Sequence, residues 1–168
     1  MTHTTSASRS RHRPRRVLGV FAHPDDETFC AGGTLAKYAS GGAEVRVVSF
    51  TKGGAGQIRD AGVATRATLS VVRERELQAA GKELGLSEAR CLDFPDGGLG
   101  GVDQELLVGV AAELLDEFDP DVVITFAPDG FSGHLDHVAV GAAVTTACSQ
   151  RRSSTAIRRR IPTPCWPS

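Results

Sequence analysis

The run Ala22-His23-Pro24-Asp25-Asp26-Glu27 sets one imidazole and three carboxylates within five residues, directly after an apolar stretch at 17–22. These side chains are the ligand types of a divalent cation. His23 and Asp26 are three apart, so a helix starting here would project both from one face of its first turn toward a shared ion. Asp25 would then point elsewhere, and a carboxylate beside a metal but not bound to it is placed to handle protons. The same acids would also suit a helix N-terminus, where carboxylates meet the positive end of the dipole and Pro fits the first position. A second cluster weighs against capping alone. Gly133-His134-Leu135-Asp136-His137 again follows an apolar run, at 122–126.

Short β-branched runs alternate with helical periodicity from Val17 onward, the pattern of βα units around a parallel sheet. Four units are expected, with strands at 17–22, 44–50, 89–94 and 121–126 and helices at 27–40, 69–84, 104–118 and 137–148. In an open parallel sheet the ligand crevice lies beyond the carboxyl ends of the strands, where strand order reverses. Each unusual segment falls at such an end: the His23 cluster, Thr51-Lys52-Gly53-Gly54-Ala55-Gly56, Pro95-Asp96-Gly97-Gly98, and Pro128-Asp129-Gly130 with the His134 cluster. If strands one and four are neighbours, His23, Asp26 and His137 meet at one cation. Two imidazoles and one carboxylate leave zinc an open fourth position, which is the catalytic rather than the structural pattern. Asp25 is then placed to take a proton from water in that position, for attack on a carbonyl. His134 is placed to donate to the oxyanion or to protonate a leaving amine, with Asp136 or another acid favouring its imidazolium form. Helix capping is the competing role for both His134 and Asp136.

A chain of 168 residues that is 40% hydrophobic and 23% charged is long enough for one domain with a real core and too short for two. The net charge of -1 argues against a general nucleic-acid binder and toward small-molecule partners. The four cysteines, Cys30, Cys91, Cys148 and Cys165, form no Cys-x-x-Cys pair, which fits a reducing cytoplasm better than a disulfide scaffold. No apolar run approaches the roughly 18 residues of a membrane span. Residues 1–16 carry Arg9, Arg11, Arg13, Arg15 and Arg16 and no acid, and are expected to be a disordered basic segment.

These motifs carry a resemblance. The His23 run, then Arg73-x-x-Glu76 with Ala79-Ala80 and Leu84-Gly85, then Asp96-Gly97, then Gly133-His134-x-Asp136-His137 resemble the LmbE-like family, also called PIG-L. That family comprises zinc-dependent amide hydrolases on a Rossmann-like sheet, which remove acetyl groups from N-acetylglucosamine-containing compounds or cleave related amides. The resemblance runs over about 17–148. It implies an α/β domain with an open, mostly parallel sheet and helices on both faces, in three layers. It further implies one zinc ion held by His23, Asp26 and His137, Asp25 as general base and His134 as electrostatic or acid partner. Arg73 matches an arginine that holds polar substrate, and Asp96 an acid that contacts sugar hydroxyls. On helical spacing alone, Arg73 would instead be a solvated residue of the Arg73-Glu74-Arg75-Glu76 run. The implied partner is a small-molecule amino-sugar conjugate.

Two departures bear on the pocket. Gly54 stands where an acidic residue is common in the family, and Leu135 where Pro is usual. The larger departure is the Arg-, Ser- and Pro-rich stretch 149–168, which has neither strand nor helix periodicity. It is expected to be an irregular tail, left by a frame shift near Gln150 in a domain incomplete at its C-terminus. Such a chain would expose the edge of strand four, inviting self-association. Besides the deacetylase, the residues leave open an impaired member that binds metal or ligand without turnover, and, ranked lower, a metal-dependent phosphoesterase.

Overall fold

A computed structural model describes the backbone of residues 13–160 and the side chains as far as Ser153. Most of the expected basic segment 1–16 and the end of the expected tail, 161–168, lie outside the described residues. The elements run β1 (Arg16–Phe21), α1 (Asp26–Ser40), β2 (Glu44–Thr51), α2 (Leu69–Glu83), β3 (Glu88–Phe94), a 3-10 turn at Leu99–Gly101, α3 (Gln104–Phe118), β4 (Val122–Ile124) and α4 (Leu135–Arg160).

The sheet has the order β3-β2-β1-β4, and every pairing is parallel. The chain therefore steps outward from β1 through β2 to β3, then crosses back to the other side of β1. Right-handed crossovers place α1 and α2 on one face and α3 and α4 on the opposite one, where α3 and α4 pack against each other. β1 is covered on both faces, which explains why its sequence is a continuous apolar run rather than an alternating one. Val17, Leu18, Val20 and Phe21 are all buried, as are Val45, Val47, Val48 and Phe50 of β2. The switch point falls between β1 and β4, so the loops leaving these two strands open onto one crevice.

Two expected boundaries are corrected. The fourth strand was expected over 121–126, but only Val122–Ile124 join the ladder. Beyond Ile124 the chain turns away, and Phe126 packs edge-on against Phe21 at 5.6 Å. The stretch after Cys148 was expected to be irregular, yet α4 continues to Arg160. No Gly or Pro interrupts 142–161, so nothing stops helix propagation before Pro162. Arg151 ties this extension to α3, donating to the Leu115 carbonyl and to the Asp119 carboxylate. No helix among the described residues is long and apolar enough to cross a membrane.

Candidate active site

The loop after β1 delivers His23 through a turn and not, as the spacing suggested, from the face of a helix. Asp26 is the first residue of α1. Its Oδ2 accepts the His23 backbone N–H at 2.8 Å and lies 3.3 Å from His23 Nδ1. Between them, Asp25 adopts φ 109, a left-handed conformation that costs a non-glycine residue about 1–3 kcal/mol and needs support from its surroundings. Glu27 provides it. This side chain is fully buried; Oε2 accepts the Asp25 N–H at 3.0 Å and Oε1 accepts the Thr28 hydroxyl at 2.7 Å.

The loop after β4 delivers the second histidine. His137 Nδ1 lies 3.0 Å from the Gly130 carbonyl, so it carries the proton and donates, leaving the Nε2 lone pair free. That lone pair is 3.2 Å from His23 Nδ1 and 3.3 Å from Asp26 Oδ1. The Phe126 ring stacks on the imidazole, with centroids 4.2 Å apart and planes 5° from parallel. Gly130, at φ 68, permits this approach: a Cβ there would lie 2.9 Å from Val138 Cγ2 and 3.0 Å from His137 Cβ. His23 is oriented from the far side, its Nε2 lying 3.1 Å from Asp96 Oδ1 and 3.2 Å from Asp136 Oδ2. Burial works against a charged His23, but Asp26, Asp96 and Asp136 outweigh it and move its pKa up. His23, Asp26 and His137 are all buried, and their ligand atoms lie within 4.8 Å of one another.

These donors fit a metal. Both imidazoles spend one nitrogen on an acceptor and turn the other toward the same carboxylate, the arrangement by which outer carboxylates and carbonyls orient metal-binding histidines. Asp136 does not cap α4, nor does its carboxylate bond His134. It is buried, and its oxygens accept the N–H groups of Gly97 at 2.8 Å and Leu99 at 3.0 Å. It therefore fastens the loop after β3 to the start of α4 and to His23. The backbone N–H of Asp136 donates to His134 Nδ1 at 3.2 Å, which puts the proton of a neutral His134 on Nε2. His134 is exposed, and its ring lies 5.0 Å from that of His23.

Arg73 is neither solvated nor free. It donates to the carbonyls of Pro24 and Gly53 and, at 2.7 Å, to Asp25 Oδ2. Gly53 makes room, since a Cβ there would lie 2.2 Å from the guanidinium. Burial pushes the Asp25 carboxyl up, with Arg73 pulling the other way. Asp96 joins the two loops: besides facing His23, its Oδ2 accepts the Ala55 N–H at 2.6 Å. Sequence reasoning missed the Glu27 clamp, the Gly130 carbonyl and the Phe126 stack. Of these, only Glu27 carried any signal in the sequence, through its place next to two candidate site acids.

Residues 18–148 match the family described as PIG-L, GlcNAc-PI de-N-acetylase. The chain belongs to the PIG-L family. Among PIG-L relatives, a 1D-myo-inositol 2-acetamido-2-deoxy-alpha-D-glucopyranoside deacetylase of Mycobacterium sp. (strain KMS) is 40% identical over 156 residues, covering 81% of this chain and 50% of that protein. A probable N-acetyl-alpha-D-glucosaminyl L-malate deacetylase 2 of Bacillus anthracis is 37% identical over 134 residues, covering 79% and 59%. Among solved structures, the N,N'-diacetylchitobiose deacetylase of Pyrococcus horikoshii superposes with a TM-score of 0.66 at 28% identity, over 80% of this chain and 49% of that one. The chain thus spans about half the length of the curated relatives it matches. All of the motifs that carry the PIG-L resemblance lie within the matched residues.

Proposed function

We propose that this chain forms the zinc centre of an amide hydrolase that removes the acetyl group from an N-acetylglucosamine-containing small molecule. The observation that carries this reading is the convergence of His23 Nδ1, His137 Nε2 and the Asp26 carboxylate, each imidazole held from behind by an acceptor. Those three residues would hold the ion, and zinc bound there supplies Lewis acidity toward the acetyl carbonyl and toward water.

The remaining steps belong to side chains beside that set. Asp25, oriented by Arg73, takes the proton of the attacking water and passes it to the leaving amine, so that water and amide become acetate and free amine. His134 offers Nε2–H to the carbonyl oxygen as negative charge builds on it. Asp96 and Asp136 hold the His23 ring and so fix the direction of its lone pair. A cytoplasmic setting belongs to the same reading. Acetate and free-amine release from a panel of N-acetylglucosamine conjugates, with and without added zinc, tests the reading. Zinc-dependent release supports it, and stoichiometric zinc binding without release from any conjugate would identify an impaired, binding-only chain.

A further inference from the structure

Asp25 occupies the N-cap position of α1, yet its side chain makes no cap hydrogen bond. An aspartate at that position ordinarily has an extended backbone and folds its carboxylate over the first turn, accepting the N–H of the second or third helical residue. Here φ is 109, and the carboxylate instead meets the Arg73 guanidinium at 2.7 Å. The main chain of Asp25 still starts the helix, its carbonyl accepting the N–H groups of Thr28 and Phe29, each at 3.0 Å. Only the side chain is diverted.

The buried Glu27 accounts for the diversion. Its Oε2 reaches back to the Asp25 N–H at 3.0 Å, and its Oε1 is fixed by the Thr28 hydroxyl at 2.7 Å. This is the backward half of a capping box, in which a first-turn glutamate takes the N–H of the N-cap residue, and the forward half, from the N-cap side chain, is missing. Without the Glu27 bond, Asp25 would relax to the ordinary N-cap conformation, because loss of strain and gain of a cap bond both favour it. The metal-ligand set has its own supports. Asp26 Oδ2 accepts the His23 N–H at 2.8 Å, and Asp26 Oδ1 faces His137 Nε2 at 3.3 Å.

We infer that Glu27 is a positioning residue for proton transfer: by holding the Asp25 N–H it keeps the Asp25 carboxylate out of the helix cap and beside the metal-ligand set. The inference rests on the deacetylase reading for the role of Asp25. Two substitutions test it on the zinc-loaded chain. Glu27→Met fills the same space and removes both acceptor oxygens, whereas Glu27→Gln keeps one of them. Glu27→Met is expected to lower kcat for acetate release by about 100-fold, as loss of the base would, with KM and zinc affinity at their wild-type values. Glu27→Gln is expected to restore most of the release. In an Asp25→Asn background, Glu27→Met is expected to change release by no more than about twofold, since residues that act through one group are not additive. The three-bond HN–Hα coupling of Asp25, measured by NMR, is small at this φ and large in an ordinary N-cap, so it should rise in Glu27→Met and stay small in Glu27→Gln. Wild-type release by Glu27→Met, a matching loss of zinc affinity, or a further large drop in the Asp25→Asn background would overturn the inference. The coupling separates the two claims. If it rises in Glu27→Met while the wild-type chain releases no acetate, the hold on Asp25 stands and the deacetylase reading fails; if it stays small while the wild-type chain releases acetate, only the positioning role fails.

Discussion

His23 Nδ1 and His137 Nε2 stand 3.2 Å apart, and the opposite nitrogen of each ring faces an acceptor: Asp96 and Asp136 for His23, the Gly130 carbonyl for His137. With no cation present, the surrounding carboxylates favour a proton on His23, which His23 Nδ1 shares with His137 Nε2 or Asp26; a metal displaces that proton. A cation that binds this folded arrangement and not the unfolded chain stabilises it.

Zinc should therefore stabilise the fold. At a free concentration near 100 times its dissociation constant, one bound ion adds about 2.7 kcal/mol, or roughly 5–10 °C in Tm for a domain of this size. Differential scanning fluorimetry against zinc would register the rise, and His137→Ala should abolish it.

Gly130→Ala should damage both stability and metal binding. The backbone sits at φ 68, and the new methyl would meet Val138 and His137 at 2.9–3.0 Å. Strain of about 1–3 kcal/mol is expected, and displacement of the carbonyl that orients His137 should weaken zinc by about tenfold. A competition titration with a chromophoric chelator measures the second effect independently of the first.

Glu27→Ala should destabilise the chain by about 2–4 kcal/mol, because it leaves the Asp25 N–H unpaired and opens a void where a fully buried side chain stood. Glu27→Gln retains an acceptor oxygen and should cost less. Urea unfolding midpoints of the three proteins would order them wild type, Gln, Ala.

Cys91 should make the fold sensitive to alkali. Burial pushes its thiol up to about 12, with Glu74 acting in the same direction, whereas the thiol of an unfolded chain titrates near about 8.5. Between those values the folded state holds a proton that the unfolded state has lost, so stability is complete below the lower value and declines as pH rises toward the upper one. Urea midpoints at pH 8 and pH 10 should fall further apart for wild type than for Cys91→Val.

The parallel sheet of βα units was legible, and so was the meeting of His23, Asp26 and His137 on the condition that strands one and four are neighbours, because strand and helix periods mark the junctions where parallel sheets bind ligands. The local means were not. His23 and Asp26 meet through a turn before α1 rather than on its face, because the left-handed Asp25 between them is sustained by a buried glutamate that no spacing rule identifies. Asp136 reads as a partner for His134 from proximity in sequence, yet its carboxylate bonds the loop after β3, a contact across 39 residues. Arg73 reads as solvated from its neighbours, and only the glycine backbone at Gly53 shows how it reaches Asp25. The prolongation of α4 to Arg160 was hidden by composition: arginine and serine suggested a tail, but helix formation asks only that glycine and proline be absent and that Arg151 find its partners on α3.

Acetate release by Asp25→Asn beside wild type, both loaded with zinc, bears most directly on the deacetylase chemistry. The substitution keeps the shape of the side chain and removes the proton acceptor. Release should be zinc-dependent in wild type and lower by about 100-fold or more in the variant, with one zinc bound per chain in both. Equal release by the two proteins, at equal zinc occupancy, would contradict Asp25 as the base and the chemistry assigned to this site.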